Sequence, residues 1–255
     1  MKIVIDDEAR TLSTLTGDQT EVSALYSREA FEALSYQWLR VGWSLLYYHN
    51  FSWMGAPILQ NPEDMMRIQE VVCAVQPKVI VETGVFRGGS LLFHATLLNA
   101  LGEGRVIGVD REVAAYDRDF LRQHPLGNRI SLVTGDSAGS EALAEVAKLI
   151  GGEAPVLVIL DSGHSKDHVY RELERYSPFV TVGSYIVAAD GIMRDLAGTP
   201  RGLPEWKDDN PLEAANAFAA LHPEFVQDQP AWLFHDGPLT ANVTYWPGAW
   251  LKRIR

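Results

Sequence analysis

The sequence predicts one large α/β domain: a sheet of mostly parallel strands, buried on both faces and preceded by an N-terminal extension. Three observations carry this. Short aliphatic runs at Val79-Ile80-Val81, Val106-Ile107, Ile130–Val133, Val156–Leu160 and Tyr185–Ala189 are rich in β-branched residues and do not alternate with polar ones, as expected of strands covered on both sides. Stretches with helical spacing lie between several of them. A chain of 255 residues with 47% hydrophobic content is also large enough to bury a substantial core.

The formal charge is −11, from 22 Lys and Arg against 33 Asp and Glu, and the longest basic cluster is the terminal Lys252-Arg253-Ile254-Arg255. Phosphate contacts need clustered cations, so a nucleic-acid partner is not expected. An acidic surface is compatible with a cationic cofactor or a divalent metal. Cys73 is the sole cysteine, which excludes a disulfide framework and a cysteine zinc site. The first ten residues carry acids and no long apolar core, and no apolar run approaches the ~18 residues of a membrane span, so a cytoplasmic protein without membrane contact is the expectation.

Residues 1–27 are polar and weakly patterned, readable as a strand or an oligomer-contact arm. From Ser27 to about Tyr48 the apolar positions Phe31, Leu34, Trp38, Leu39 and Leu45 fall at helical spacing. An aromatic stretch follows, Tyr47 to Gly55, which reads either as a lid or as packing on the core. Asn61-Pro62-Glu63-Asp64 has the cap, proline and early acids of a helix start, and Pro77 ends that helix. The strand ending at Val81 runs through Glu82 into the glycine turn Gly84-Val85-Phe86-Arg87-Gly88-Gly89, with Ser90 as the expected N-cap of the next helix. The turn matches neither the dinucleotide fingerprint nor a P-loop. Glu82 at the strand end disfavours a pyrophosphate and suits the amino group of a methionine-like ligand, or else it is a solvated acid on a turn that binds nothing.

Asp110 ends the second strand, where the ribose hydroxyls of a cofactor are held in such folds. Gly135-Asp136-Ser137 follows the third strand and suits an adenine edge. Asp161 ends the fourth strand and Asp190 the fifth. So many acids at one sheet edge mark a site. The stretch 194–210 reads as a flexible loop and Pro211–Leu221 as a short helix. Glu224–Asp228 and Thr240–Trp246 read as an antiparallel edge pair.

Asp161 and Asp190 present oxygen donors suited to Mg²⁺ or Ca²⁺. A metal there could lower the pKa of a substrate hydroxyl, with His164 as the general base that takes the proton. His164 could instead be a helix-start residue bonded to backbone. For His168, one turn further on, both kinds of role stay open. Arg87 reads either as holding a cofactor or substrate carboxylate or as a surface ion pair, and Lys166 as solvated or neutralising an anionic substrate. His94, His124, His222 and His235 are expected in structural or solvent-facing roles.

Several motifs together resemble the cephalosporin hydroxylase family. They are Asn50–Gly55, Asn61–Asp64, Val81–Gly84 through Gly88-Gly89-Ser90, Ile107–Asp110, Leu160–His164, Asn210–Ala214 and Pro247–Arg253. Despite its name, that family is built on a methyltransferase fold and is similar to metal-dependent macrolide-sugar and rhamnosyl O-methyltransferases. The resemblance implies a Rossmann-like class I methyltransferase, its seven-stranded sheet closed by an antiparallel last strand. Residues 1–60 would then be an extension with an aromatic lid or oligomer segment, and 61–255 the catalytic domain. It implies S-adenosylmethionine held by Glu82, Gly84, Ser90, Asp110 and Asp136, to which the reading of the residues adds Arg87, Ser137 and Asp161. It further implies Mg²⁺ at Asp161 and Asp190 and His164 as the base, with Asp161 counted beside it among the catalytic candidates. The acceptor would be a glycosylated natural product of antibiotic-type secondary metabolism. The aromatic N-terminal segment, separately, predicts a homo-oligomer. One departure stands out: related enzymes carry two adjacent acids at the end of the fifth strand, where this chain has Ala189-Asp190, which predicts a weaker metal site or none. Two other readings stay open, a hydroxylase component with iron(II) and a non-catalytic subunit that keeps the fold.

Overall fold

The computed structural model describes residues 2–255. The chain opens with an antiparallel meander of β1 (Lys2–Asp6), β2 (Thr11–Thr16) and β3 (Gln19–Ala24). Only Leu12 of this small sheet is buried, which is why its sequence lacks a hydrophobic pattern. Helix α1 (Arg28–Ser44) is capped by Ser27, whose Oγ accepts from the Ala30 amide at 3.2 Å, and it buries Leu39 and Trp43 in the main core. A short hairpin, β4 (Ser52–Trp53) with β5 (Ala56–Pro57), leads to α2 (Pro62–Val75).

There follow β6 (Val79–Thr83), α3 (Gly89–Ala100), β7 (Arg105–Asp110), α4 (Ala115–Gln123), β8 (Ile130–Thr134), α5 (Ser140–Ile150), β9 (Val156–Leu160), α6 (Lys166–Tyr176), β10 (Tyr185–Ala188), α7 (Met193–Leu196), α8 (Pro211–Leu221), β11 (Phe225–Gln227) and β12 (Trp250–Arg253). The large sheet has the order β11-β12-β10-β9-β6-β7-β8. It is parallel except at β12, which runs antiparallel between β10 and β11. β6, β9 and β10 are buried along their whole length, as their unbroken aliphatic runs require. Apolar side chains from the two sheet faces fall into two separate core clusters, one under α1–α3 and one under α5, α6 and α8.

Register places the site. Thr83 lies opposite both Val109 and Leu160, and Ala188 opposite Leu160. Gly84, Asp110, Asp161 and Ala189-Asp190 therefore leave the sheet at one level.

Of the two readings of residues 1–27, strand or oligomer-contact arm, residues 2–24 show strand, in a three-stranded meander. Three expectations need correction. The last strand is Trp250–Arg253, not Thr240–Trp246, because Trp250 and Leu251 supply the burial that the sheet needs. The segment 240–246 instead carries no strand and is pinned to α2, where Asp64 accepts from the Tyr245 amide at 2.8 Å and from the Thr244 hydroxyl. The stretch 194–210 is partly helical and contributes Trp206 to the cavity. Ser90 lies inside α3, whose cap is Gly88 in the left-handed conformation at φ 82°. Helix α4, polar and short, was not foreseen.

Candidate active site

A cavity of about 790 Å³ opens at the C-terminal edge of β6, β7, β9 and β10, where α/β folds bind ligands. Its floor is the glycine turn. Gly84 has φ +85°, and a Cβ there would sit 2.0 Å from the Asp161 carbonyl oxygen, so this crossing of β6 and β9 admits only glycine. Asp110 braces the turn: its Oδ2 accepts from the Val85 and Phe86 amides at 2.8 and 3.2 Å, and its Oδ1 from Glu112 at 3.2 Å.

Asp161, His164 and Asp190 come together on the opposite wall, with one ligand atom from each mutually within 4.8 Å. Nε2 of His164 stands 3.7 Å from Oδ2 of Asp190, a Coulombic contact too long for a direct hydrogen bond. Burial, then the charges of Asp190 and Glu82, push the Asp161 carboxyl well above the usual carboxylate range, although Gln60 donates to its Oδ2 at 2.6 Å. Burial also raises Asp190, with His164 working against the shift. Two carboxylates, the charge of Asp190 disfavouring that of Asp161, with one oxygen of each converging beside His164, form a donor set that fits a hard divalent cation. Ala189 is buried in the core and offers no donor, so the expected thinning of the ligand set is present and three groups remain.

The other predicted residues divide. Gly84, Ser90, Asp110, Ser137 and Asp161 line the cavity. Glu82 does not: it is buried beneath the turn against His94, whose Nε2 lies 3.2 Å from Oε2. Arg87 pairs with Asp117 at 3.2 Å outside the cavity, the surface-ion-pair reading. Asp136 is exposed and accepts from the Ala138 amide, leaving the wall to Ser137. His168 is buried and faces Ser137, Ser162 and Glu172.

Residues that the sequence did not announce complete the walls. Gln60 arrives from the segment before α2, and Arg111 from just past Asp110. Trp43, Tyr48 and Trp206 form an aromatic side, with Trp43 5.0 Å from Tyr48 and 6.3 Å from Trp206 by ring centroid. Tyr48 stands near enough to Asp190 that burial and that charge both raise its hydroxyl pKa. The aromatic richness of 43–53 and the loop at 194–210 near the strand ends hinted at this wall; Gln60 carries no local signal. No helix among the described residues is long and apolar enough to cross a membrane.

The family model described as Rhamnosyl O-methyltransferase/CmcI matches residues 45–254. A Rhamnosyl O-methyltransferase of Mycobacterium leprae is 32% identical over 185 residues, 69% of this chain and 76% of that protein. One from Mycobacterium bovis is 30% identical over 68% of this chain and 69% of that protein. Among solved structures, CmcI with Mg and SAM superposes with a TM-score of 0.55 at 20% identity, covering 81% of this chain and 78% of the other. MycE, a methyltransferase from the mycinamycin biosynthetic pathway in complex with Mg and SAH, gives 0.50 at 17% identity, over 95% and 66%. The structural likenesses show the shared fold, and the family match shows the rest: the chain belongs to the Rhamnosyl O-methyltransferase/CmcI family and is an O-methyltransferase.

Proposed function

We propose that this O-methyltransferase uses S-adenosylmethionine, with Mg²⁺ at Asp161 and Asp190, to methylate a hydroxyl of a glycosylated small molecule. One observation carries the reading: the Asp161–His164–Asp190 group opens into the same cavity as the Gly84 turn and Asp110. The cofactor fits the cavity because Gly84 leaves a bare backbone floor and Asp110 is an acid at the end of β7, the place for ribose hydroxyls. When bound, S-adenosylmethionine supplies an electrophilic methyl group, and a divalent cation lowers the pKa of the acceptor hydroxyl.

The remaining work belongs to the chain. His164, 32% exposed at its side chain, is open to the acceptor and takes the hydroxyl proton at Nε2. Asp190, 3.7 Å away, then faces an imidazolium and offsets its charge. Gln60 fixes one Asp161 oxygen and so limits how that carboxylate can turn. The aromatic side formed by Trp43, Tyr48 and Trp206 suits the apolar face of a sugar ring and excludes water from the reacting oxygen. The relatives named Rhamnosyl O-methyltransferase support a sugar acceptor. An iron(II) oxygenase would ask for two histidines and a carboxylate, but the converging group contains one histidine.

Calorimetric titration with S-adenosylmethionine, with NAD as control, tests the reading, followed by turnover on glycosylated acceptors with Mg²⁺ or chelator. Saturable binding of S-adenosylmethionine alone is expected. A well-folded sample, stripped of co-purified ligand, that binds neither compound would overturn the reading in favour of a non-catalytic subunit.

A further inference from the structure

A second cavity, of about 250 Å³, lies between α1, the first turns of α2 and the chain at 229–244. It shares no lining residue with the catalytic cavity. The start of α2 runs between the two: Gln60 reaches Asp161 on one side, and Glu63 lines the second cavity on the other. Methyl transfer makes no use of this space. Drug-sized ligands occupy about 300–1,000 Å³, so the second cavity is of a size for one small ring.

Phe31 of α1 and the half-buried Trp232 supply its aromatic walls. Trp232 is held in place, because its Nε1 donates to Asn242 Oδ1 at 2.5 Å and the Arg67 guanidinium carbon lies 5.9 Å from its ring centroid. The loop that carries it is tied to α1 where the Thr240 hydroxyl donates to Glu32 at 3.5 Å. Three polar groups on the wall have no partner among the described residues: the Glu63 carboxylate, the Gln229 amide and the NH₂ of Asn242.

The chemistry of the ligand follows by elimination. Asp64 is already engaged by the Thr244 hydroxyl and the Tyr245 amide, and Arg67 by Glu70 and by Asn242 Oδ1 at 3.1 Å. An anion would therefore meet the Glu63 charge with no free cation to balance it. An organic cation would enter beside the Arg67 guanidinium, and the residues that converge as metal ligands are Asp161, His164 and Asp190, in the other cavity. What remains is an acceptor at Glu63, a donor at Asn242 and both at Gln229, next to aromatic faces. A sugar ring matches this set: its hydroxyls donate and accept around the rim, and its C–H face packs on an aromatic ring.

We propose that this cavity is a second binding site, for a single neutral sugar ring held by Glu63, Gln229 and Asn242 against Trp232. The site is independent of the methyl-transfer reading.

Fluorine NMR of the full-length protein labelled with 5-fluorotryptophan tests this. The chain has seven tryptophans, and Trp232→Phe, Trp43→Phe and Trp206→Phe identify the signals of the two cavities separately. Methyl α-rhamnoside, methyl α-glucoside and myo-inositol serve as neutral probes, with acetate and methylammonium as charged controls. At least one neutral probe should shift the Trp232 signal saturably, and the charged controls should not. Glu63→Ala should weaken that response by about tenfold, the scale of a hydrogen bond to a charged group, and leave the Trp43 and Trp206 signals unchanged. Gln229→Ala, at an exposed position, should weaken it several-fold. Circular dichroism checks that both variants are folded. A Trp232 signal that no neutral probe moves, or that a charged control moves instead, overturns the inference, as does wild-type affinity in both variants. Each of these results leaves the catalytic cavity's reading intact, and a protein that binds no S-adenosylmethionine leaves the Trp232 response intact.

Discussion

Nε2 of His94 lies 3.2 Å from Oε2 of Glu82, and both side chains are only 2% exposed. The pair locks α3 to the end of β6 directly beneath the glycine turn. Removing His94 would leave the buried Glu82 carboxyl without its polar neighbour, which costs about 1–3 kcal/mol. His94→Ala should therefore lower unfolding free energy by about that amount in urea titrations. The double variant His94→Ala/Glu82→Gln should recover part of the loss. A His94→Ala protein as stable as wild type would mean that the pair does not hold the turn.

His164 should separate binding from chemistry. His164→Ala is expected to bind S-adenosylmethionine with wild-type affinity and to lose about 10²- to 10⁴-fold in turnover, the usual worth of a positioned base. Calorimetry and single-turnover assays measure the two effects separately. Normal turnover would remove His164 from the mechanism.

The metal requirement should follow Asp161 and Asp190. With Ala189 contributing no carboxylate, Mg²⁺ dependence should appear at high ion concentrations, and chelator should abolish turnover. Asp190→Asn should raise the Mg²⁺ needed for half-maximal rate by about tenfold or more, since a charged oxygen donor is lost. Turnover indifferent to both Mg²⁺ and chelator would refute the metal.

Asp64 ties stability to pH. Burial pushes its carboxyl from 3.8 to about 7, against the hydrogen bonds from Thr244 and Tyr245. The folded state then binds a proton that the unfolded chain releases between about pH 4 and 7. Stability from this group is complete below the unfolded value and falls as pH rises toward 7, with about 4 kcal/mol as the ceiling. Asp64→Asn should flatten that part of the stability-versus-pH curve relative to wild type. An unchanged slope would show that Asp64 is ionised in the fold.

Gly84 and Gly102 give a matched comparison. Both have positive φ, +85° and +92°, but a Cβ at Gly102 meets nothing within 4 Å, whereas at Gly84 it meets the Asp161 backbone. Gly102→Ala should cost about 1 kcal/mol. Gly84→Ala should cost several-fold more and weaken cofactor binding, because β6 and β9 must separate. Equal thermal shifts for the two variants would contradict the close crossing.

The strand-ending acids, the glycine turn and the helix start at Asn61–Asp64 were legible along the chain. Each depends on interactions within a few residues or on a strand buried on both faces. Burial without alternation marked β6, β9 and β10, and their parallel register, with β7 beside β6, brought Asp110, Asp161 and Asp190 to one edge. The meander at 2–24 left little pattern because it buries almost nothing, and β12 was hidden by its four-residue length and the basic residues around it. Partner choice was decided only in three dimensions. Glu82 faces His94 rather than the cavity, Arg87 faces Asp117, Gln60 reaches Asp161 across 101 positions of sequence, and Trp206 closes a wall begun by Trp43. Sequence alone determined which residue types stand at the sheet edge. Which of them look into the cavity was settled by how helices and loops pack over that edge, since a side chain's direction depends on neighbours that are distant in the chain.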